Sequence, residues 1–305
     1  MNPRPVIAVI GAGALGGYYG ARLAQHGHDV HLHMRSNCIA VQRDGMRIES
    51  RDGDFSLSPR QVNAYENPRD MPKADLVLVT LKTTANDRLG ALVAPVLKPD
   101  SAILTLQNGL GNEQRLAELF GEQRVLGGIA FVCINRTGPG QISHMDHGLI
   151  RLGEYRGRPS ERAQWLADLF SASNVPCSVL DSLAAGRWEK LIWNVPFNGL
   201  GALLDYSTDL LLERAGDLVR QLMREVIDAA AALEIDFDPT IIEEKMRHTL
   251  SMGAYKTSMQ IDRQMRRPME IEAIIGSPLS EAARQGVATP GLEMLYQLLL
   301  AIDPR

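Results

Sequence analysis

Hydrophobic residues in the first part of the chain occur in short β-branched runs separated by longer amphipathic stretches. This alternation is typical of βαβ units on a parallel sheet. The runs predict five strands and two further extended segments. The strands are Val6–Ile10, Val30–His33, Leu76–Thr80, Ala102–Thr105 and Val125–Phe131, and the extended segments are Gly45–Glu49 and Gly148–Gly153.

Beyond the middle of the chain, apolar residues recur at helical spacing instead. The pattern predicts helices over Leu183–Leu204, Leu211–Leu233 and Thr240–Met252, and a helical trend from Ile261 to Gln285 around Pro268. The change of pattern lies near Leu180–Ala184. The predicted fold class is therefore α/β, with an N-terminal Rossmann-type parallel-sheet domain at 1–180 and an all-α C-terminal domain at 181–305.

Composition limits the classes of partner. The 305 residues, with 45% hydrophobic and 22% charged positions, are typical of a folded chain of two domains. A formal net charge of -4 argues against the concentrated basic surface that nucleic acid normally requires, so a small molecule is the expected partner. No apolar run approaches the length of about 20 residues that spans a membrane, so we expect no membrane partner.

The cysteines and histidines indicate neither a disulfide framework nor a metal site. Cys38, Cys133 and Cys177 lie far apart without a CxxC pair, as reduced thiols of a cytoplasmic protein would. The histidines form two close pairs, at 31 and 33 and at 144 and 147, but neither pair has a third ligand at metal-site spacing. We therefore predict no metal.

A glycine-rich turn directly follows the first strand and precedes an amphipathic stretch. Its residues are Gly11-Ala12-Gly13-Ala14-Leu15-Gly16. In this GxGxxG spacing, Gly11 permits the tight turn, Gly13 lets the backbone approach a pyrophosphate, and Gly16 allows close packing of helix on strand. The helix N-terminus then favours the anion. The motif predicts a dinucleotide site, since its position between strand and helix separates it from an ordinary glycine turn.

The residue after the second strand indicates which dinucleotide binds. An NAD site has an acid about 20 residues beyond the glycines to bind the ribose hydroxyls. Here that place holds Arg35, whereas Asp29 lies at the other end of the strand. A guanidinium suits a 2′-phosphate, so the sequence favours NADPH over NADH. The alternative is an arginine that ends a strand in water.

Polar residues also follow two later strands. Lys82 follows one strand and Asn108-Gly109 follows the next. Ligands of parallel sheets bind at these carboxyl ends, so both positions are candidates for the nucleotide site. Asn-Gly is also a common turn dipeptide, and that interpretation of Asn108 stays open.

In the helical half, Lys190, Asn194 and Asn198 are spaced by four residues, which keeps them along one side of a helix. Their neighbours are apolar and aromatic. A polar cleft facing them is one interpretation, because buried polar groups need partners. An exposed stripe on an amphipathic helix is the other.

Taken in order, these motifs resemble those of the ketopantoate reductase (2-dehydropantoate 2-reductase) family, over essentially the whole chain. The matching segments are the glycine turn, Val79-Thr80-Leu81-Lys82, Gln107-Asn108-Gly109, Lys190-Leu191 with Asn194 and Asn198, Ser258-Met259, and Glu270-Ile271-Glu272. The resemblance implies a cytoplasmic, NADP-dependent oxidoreductase acting on CH-OH groups. It would reduce 2-dehydropantoate to pantoate by hydride transfer, in pantothenate biosynthesis.

The same resemblance implies roles for individual residues. Arg35 and Lys82 would help the glycine turn to hold NADP(H), and Lys190 and Glu270 would form the catalytic pair. Glu270 would also contact the nicotinamide ribose or the substrate. Asn108 would lie between cofactor and substrate, and the substrate would be bound by Asn194, Asn198 and Ser258. An ammonium at Lys190 suits this chemistry, because hydride transfer to a 2-keto carbon develops negative charge on the carbonyl oxygen.

The chain departs from the family's pattern at several positions. Tyr255 stands where an asparagine is common, Glu272 where aspartate is usual, and Ile275 where asparagine often precedes the glycine. Pro196 lies within the helix before Asn198, where it is expected to remove a hydrogen bond and kink the helix. Gly199 follows Asn198 where proline is frequent.

These departures leave three alternatives open: a reductase of another small 2-keto acid, a 3-hydroxyacid dehydrogenase of the 6-phosphogluconate type, and an NADPH-binding redox sensor. The sequence also leaves open whether the chain forms a homodimer.

Overall fold

The computed structural model describes residues 4–304, which divide into two compact units. The first unit contains residues up to Gln107 and Asn112–Leu183, and the second contains Asn108–Gly111 and the chain from Ala184 onward. The change of unit at Leu183 and Ala184 lies within the boundary region that the sequence pattern indicates. The segment Asn108–Gly111 differs from the expectation, because its contacts group it with the helical unit.

The first unit is built on one sheet. Its ten strands, among the described residues, are β1 Val6–Ile10, β2 Asp29–His33, β3 Met46–Ser50, β4 Phe55–Leu57, β5 Asn63–Tyr65, β6 Ala74–Val79, β7 Leu97–Thr105, β8 Val125–Gly138, β9 Gln141–Glu154 and β10 Cys177–Val179. Their order is β4-β3-β9-β8-β7-β6-β1-β2-β5, with β10 on β9. Along the run β8-β7-β6-β1-β2-β5, each strand is parallel to the next. Pairs β8–β9 and β3–β4 are antiparallel, so the sheet is mixed beyond the predicted parallel part.

Both faces of the central strands are buried. In β1, Ile7 and Val9 enter one apolar cluster, and Ala8 and Ile10 enter another on the opposite face. This explains why β1 appears as a continuous apolar run rather than an alternating one. Five helices accompany the sheet: α1 Ala14–Gln25, α2 Cys38–Asp44, α3 Leu89–Val93, α4 Asn112–Phe120 and α5 Glu161–Ala172.

The order in which strands are added to the sheet reverses at β1. Strand β2 pairs with one edge of β1 and β6 with the other, so the carboxyl ends of β1 and β6 form a topological switch point. Thr80, directly after β6, donates its backbone N–H to Ile10 O at 3.0 Å and its hydroxyl to Gly11 O at 3.0 Å. These bonds hold the glycine turn against the neighbouring strand end.

The second unit is helical. Its helices are α6 Leu183–Leu204, α7 Thr208–Ala231, α8 Ile241–Met252, α9 Ser258–Gln264, α10 Ser277–Arg284 and α11 Pro290–Ile302, with a π-helical turn at Glu272–Gly276. Helix α6 has the predicted bounds and continues through Pro196. The predicted helical trend around Pro268 is interrupted, because α9 ends at Gln264 and the next helical segment starts at Ile271. Helix α11 was not predicted.

One apolar cluster, drawn from all of these helices, forms the core of the second unit. The predicted fold class, a Rossmann-type sheet domain followed by an all-α domain, is confirmed. Among residues 4–304, no helix combines the length and the apolarity that crossing a bilayer requires.

Candidate active site

Two glycines of the turn are required by the packing around them. Gly11 has a φ of +91°, and an added Cβ would lie 2.9 Å from Leu81 N. A Cβ at Gly16 would overlap the hydroxyl of Thr80 and lie 2.9 Å from Val9 Cγ1. The first therefore needs the left-handed backbone that glycine adopts readily, and the second lets α1 lie directly on the strand ends.

Gly13 differs from these two, because the protein leaves room beside it. Its φ is -80°, and an added Cβ would meet no atom closer than Gly11 O at 3.8 Å. Helix α1 begins there with no capping side chain and no acid in its first turn. The N–H groups of the first turn therefore have no capping side chain, an arrangement that suits an anion such as a dinucleotide pyrophosphate.

Two basic side chains follow the two strands, β2 and β6, that flank β1 in the sheet. Arg35 is exposed two residues after the end of β2, and its guanidinium makes no hydrogen bond or ion pair with any residue of the described chain. Asp29 opens the same strand at its other end. Lys82 is exposed after β6, at the start of a 3₁₀ turn, Thr83–Arg88. The Arg35 guanidinium can hold a phosphate group without first breaking a contact to the described chain.

In the second unit, the side chain of Asn108 joins Lys190 to Glu270. The Lys190 amine donates to Asn108 Oδ1 at 2.9 Å, and Asn108 Nδ2 donates to Glu270 Oε2 at 3.5 Å. Lys190 lies on α6, and Glu270 immediately precedes the helical segment that begins at Ile271. Three of the residues predicted from sequence, distant along the chain, are therefore brought together.

The charge of Lys190 is balanced near neutrality. Burial, the largest cause, and the positive charge of Arg187 lower the pKa of the Lys190 amine, while Glu270 raises it; the net result is a pKa of about 7. Arg187 is itself buried, with 4% of its surface exposed. Sequence reasoning missed it, although its position three residues before Lys190 on the same helix was a usable signal.

The three predicted substrate-binding residues lie on α6 and at the start of α9. Asn198 Oδ1 accepts from the Ser258 hydroxyl and from Met259 N, both at 3.2 Å, so these two helices are tied together. Asn194 is 5% exposed and lies one helical turn after Lys190 on α6. Because residues four apart share one side of a helix, Asn194 is a candidate for contact with a polar ligand beside that amine.

The sequence departures from the family have different surroundings. Ile275 is fully buried in the apolar core of the second unit, which explains why an apolar residue is accepted there. Glu272 accepts a hydrogen bond from the Tyr296 hydroxyl at 2.7 Å. Tyr255 accepts through its backbone oxygen from Thr208 N at 3.0 Å.

One histidine of each close pair lies within hydrogen-bonding distance of a side-chain hydroxyl group. His31 Nδ1 lies 3.1 Å from the Tyr65 hydroxyl, and His144 Nδ1 lies 2.8 Å from Ser50 Oγ. Within the described chain, no group of three or more histidine, cysteine, aspartate or glutamate side chains could hold a metal ion.

A glycine turn at the switch point of a Rossmann-type sheet, followed by a helical unit with a linked lysine, amide and carboxylate, defines the class of nicotinamide-dependent oxidoreductases. The chain matches the family described as Ketopantoate reductase PanE/ApbA over residues 7–157. It matches the C-terminal part of that family over residues 182–303. The chain therefore belongs to the ketopantoate reductase family, as its motifs predicted.

Individual relatives agree with this assignment. A 2-dehydropantoate 2-reductase from Nostoc sp. is 43% identical over 312 residues, covering 100% of this chain and 97% of that protein. The crystal structure of 2-dehydropantoate 2-reductase from Geobacter metallireducens matches with a TM-score of 0.94 and 46% identity, covering 97% of this chain and 99% of the other.

A more distant structure shows the breadth of the fold. D-mandelate dehydrogenase, in a ternary complex with NADH and anilino(oxo)acetate, has a TM-score of 0.88 at 24% identity, covering 97% of each chain. At that identity the likeness concerns the fold alone. Membership in a reductase family with this fold implies a nicotinamide cofactor.

Proposed function

We propose that this chain reduces 2-dehydropantoate to pantoate with NADPH, by hydride transfer to the 2-keto carbon, as a step of pantothenate biosynthesis. The observation that carries the proposal is the hydrogen-bonded group Lys190, Asn108 and Glu270 in a chain of the ketopantoate reductase family. The name of the Nostoc relative supports the substrate. We assign nucleotide binding to the first unit and the catalytic and substrate-binding side chains to the second.

Lys190 acts on the substrate's carbonyl oxygen. With a pKa of about 7, close to half of the amine is protonated at neutral pH. The bound nicotinamide supplies the hydride, and the ammonium stabilises the charge that develops on the oxygen and then donates a proton to it. Because the pKa is near the working pH, the same amine regains its proton from solvent between turnovers.

Asn108 and Glu270 orient this ammonium. The Glu270 carboxylate can only accept, so it holds the Nδ2 side of the Asn108 amide, and Oδ1 must then face Lys190. Oδ1 accepts one of the three ammonium hydrogens, and we propose that the ammonium also donates to the substrate's carbonyl oxygen. Glu270 is also proposed to contact the nicotinamide ribose.

The remaining polar residues of the second unit hold the rest of the substrate. Asn194, Asn198 and Ser258 are proposed to bind its carboxylate and hydroxyl. The position of Asn194, one helical turn after Lys190 on α6, supports this assignment. The Ser258 hydroxyl already donates to Asn198 Oδ1, so a ligand would bind to two side chains that are bonded to each other.

The proposed cofactor is NADP(H), bound by the glycine turn with Arg35 and Lys82. The uncapped start of α1 supports pyrophosphate binding, and the unpaired, exposed guanidinium of Arg35 supports a 2′-phosphate. The free cysteines Cys38, Cys133 and Cys177 are consistent with the reducing cytoplasm, where we place the reaction.

A panel of 2-keto acids at matched concentrations, assayed by loss of NADPH absorbance, tests the proposal. We expect the highest kcat/KM with 2-dehydropantoate. A higher value with another 2-keto acid would reassign the substrate within the same chemistry. If none of the 2-keto acids is reduced although NADPH binds tightly, the proposed reductase activity is refuted and a redox sensor is favoured. Faster oxidation of 3-hydroxyacids with NAD would favour the dehydrogenase alternative.

A further inference from the structure

The helix that follows Glu270 widens into a π-helical turn at Glu272–Gly276. Ser277 N–H donates to Glu272 O, five residues earlier, instead of to the oxygen four residues earlier. Pro278 follows directly. A proline ring clashes with the carbonyl four residues before it, here that of Ile274, and a wider turn relieves this clash. Pro278 therefore accounts for the π turn.

The same proline leaves one carbonyl of the turn without a helical donor. In the five-residue pattern, Ala273 O would accept from residue 278, and proline has no N–H to give. The backbone N–H of Leu110 donates to Ala273 O instead, at 2.9 Å. The segment Asn108–Gly111 is thus attached to the turn by a backbone hydrogen bond.

Gly109 makes this attachment close. Its φ is +78°, and an added Cβ would overlap Ala273 O and lie 2.8 Å from Ala273 Cβ. A larger residue at 109 would push the segment away from the turn. Because Asn108 directly precedes Gly109, such a shift would move the amide that contacts Lys190 and Glu270.

We propose that Pro278 is a positioning residue for the reductase reaction: by freeing Ala273 O for Leu110 N–H, it holds Asn108 in the orientation that joins Lys190 to Glu270. The proposal rests on the proposed function, since it concerns the same catalytic group. π turns occur frequently at functional sites, and here the irregular backbone supplies the acceptor, Ala273 O, for Leu110 N–H.

The test replaces Pro278 with alanine, which supplies the missing N–H and removes the ring. The new donor competes for the helix carbonyls, so Leu110 N–H loses its acceptor. We expect hydrogen exchange of the Leu110 amide to accelerate and kcat to fall, each at least about tenfold, while the KM for NADPH stays within about twofold. The melting temperature should not fall, because a helix gains a regular bond.

Pro290→Ala is the matched control, because Pro290 also stands in the first turn of a helix of the second unit. It should leave Leu110 exchange and kcat unchanged. The proposal is overturned if Pro278→Ala leaves Leu110 exchange at the wild-type rate. It is equally overturned if exchange accelerates while kcat in an active enzyme stays the same.

A spectroscopic readout makes the result independent of turnover. The side-chain amide resonances of Asn108 should titrate with the Lys190 midpoint of about 7 in the wild type, because Oδ1 accepts from that amine. In Pro278→Ala this titration should be lost, and its full retention would contradict the proposal. If the wild type reduces no 2-keto acid, the proposed function fails, yet exchange and titration still decide the role of Pro278.

A pair of glycine variants separates contact from backbone strain. Gly109→Ala and Gly111→Ala both place alanine at positive φ, but the added Cβ at Gly111 lies 3.9 Å from Ser277 Oγ, an ordinary contact. We expect kcat to fall at least about tenfold further in Gly109→Ala than in Gly111→Ala. Equal losses in the two folded variants would show that the approach to Ala273 is unimportant.

Discussion

Lys190 donates a hydrogen bond from its amine to the side-chain oxygen of Asn108, at 2.9 Å. An uncharged oxygen favours the ammonium form without neutralising it, whereas burial and Arg187 favour the neutral amine. The result is a pKa of about 7 rather than the ordinary 10.5. This balance suits a group that must hold a proton and release it in each turnover.

The pH dependence of keto-acid reduction follows from this pKa. In the proposed mechanism reduction requires the ammonium, and the folded pKa lies below the ordinary value, so the active form is lost as pH rises through about 7. We expect kcat/KM for 2-dehydropantoate to level off below this pH and to fall about tenfold per unit well above it, because this ratio reports the protein before the keto acid binds; kcat should fall in the same direction. Steady-state rates across the range, with NADPH saturating, check this. A kcat/KM that stays constant to the ordinary pKa of lysine would refute the assignment.

Replacing Arg187 should raise the pKa of Lys190. Its charge lowers the pKa of Lys190, so Arg187→Met should move the alkaline fall of kcat to higher pH. Arg220→Met is a suitable control, because Arg220 pairs with Glu243 elsewhere in the second unit. A shift to lower pH, or equal shifts in both variants, would show that Arg187 does not act on Lys190 by charge.

Arg35 is expected to determine the preference for NADPH. Arg35→Gln removes a charged donor from the 2′-phosphate, and such a bond accounts for about 10- to 100-fold in affinity. The KM for NADPH should rise by that factor and the KM for NADH should change little. Arg43→Gln, which affects an exposed arginine paired with Asp44, should alter neither. Equal KM values for the two nucleotides in the wild type would contradict the preference.

Gly13 separates folding from nucleotide binding. Since the nearest atom to an added Cβ is 3.8 Å away, Gly13→Ala should fold, and its ψ of -140°, which alanine adopts less readily than glycine, should lower the melting temperature only modestly. The methyl group would nevertheless occupy the approach of the pyrophosphate, so the Kd for NADPH should rise at least about tenfold. Gly90→Ala, with its own nearest atom at 3.8 Å, is the matched control and should bind normally. Wild-type affinity in Gly13→Ala would exclude the proposed pyrophosphate site.

Local patterns predicted much of this fold. Strand β1 and the glycine turn were visible because both faces of a parallel strand are apolar and the turn has a fixed spacing. Helix α6 was predicted to the residue. Helix α11 was missed because its exposed side mixes polar Glu293 and Gln297 with apolar Met294, 66% exposed, and Leu298, 44% exposed, which weakens the amphipathic pattern.

The candidate site was predictable in part. Spacing placed Lys190 and Asn194 along one side of a helix, and family motifs supplied Glu270. That Asn108 would join the lysine to the carboxylate depends on contacts between segments distant in sequence, which no local pattern contains. The π turn could not be predicted for the same reason, since the acceptor in this turn, Ala273 O, bonds to the distant Leu110 N–H.

The central claim is that the Lys190 ammonium drives the chemical step, and Lys190→Met tests it most directly. Loss of a general acid reduces rates by about 10²- to 10⁴-fold, so we predict a fall of that size in kcat with 2-dehydropantoate. The Kd for NADPH should stay at the wild-type value. Lys245→Met is the control, because Lys245 pairs with Glu189 at 2.8 Å outside the catalytic group, and it should keep its activity. Turnover in Lys190→Met close to that of Lys245→Met would contradict the account.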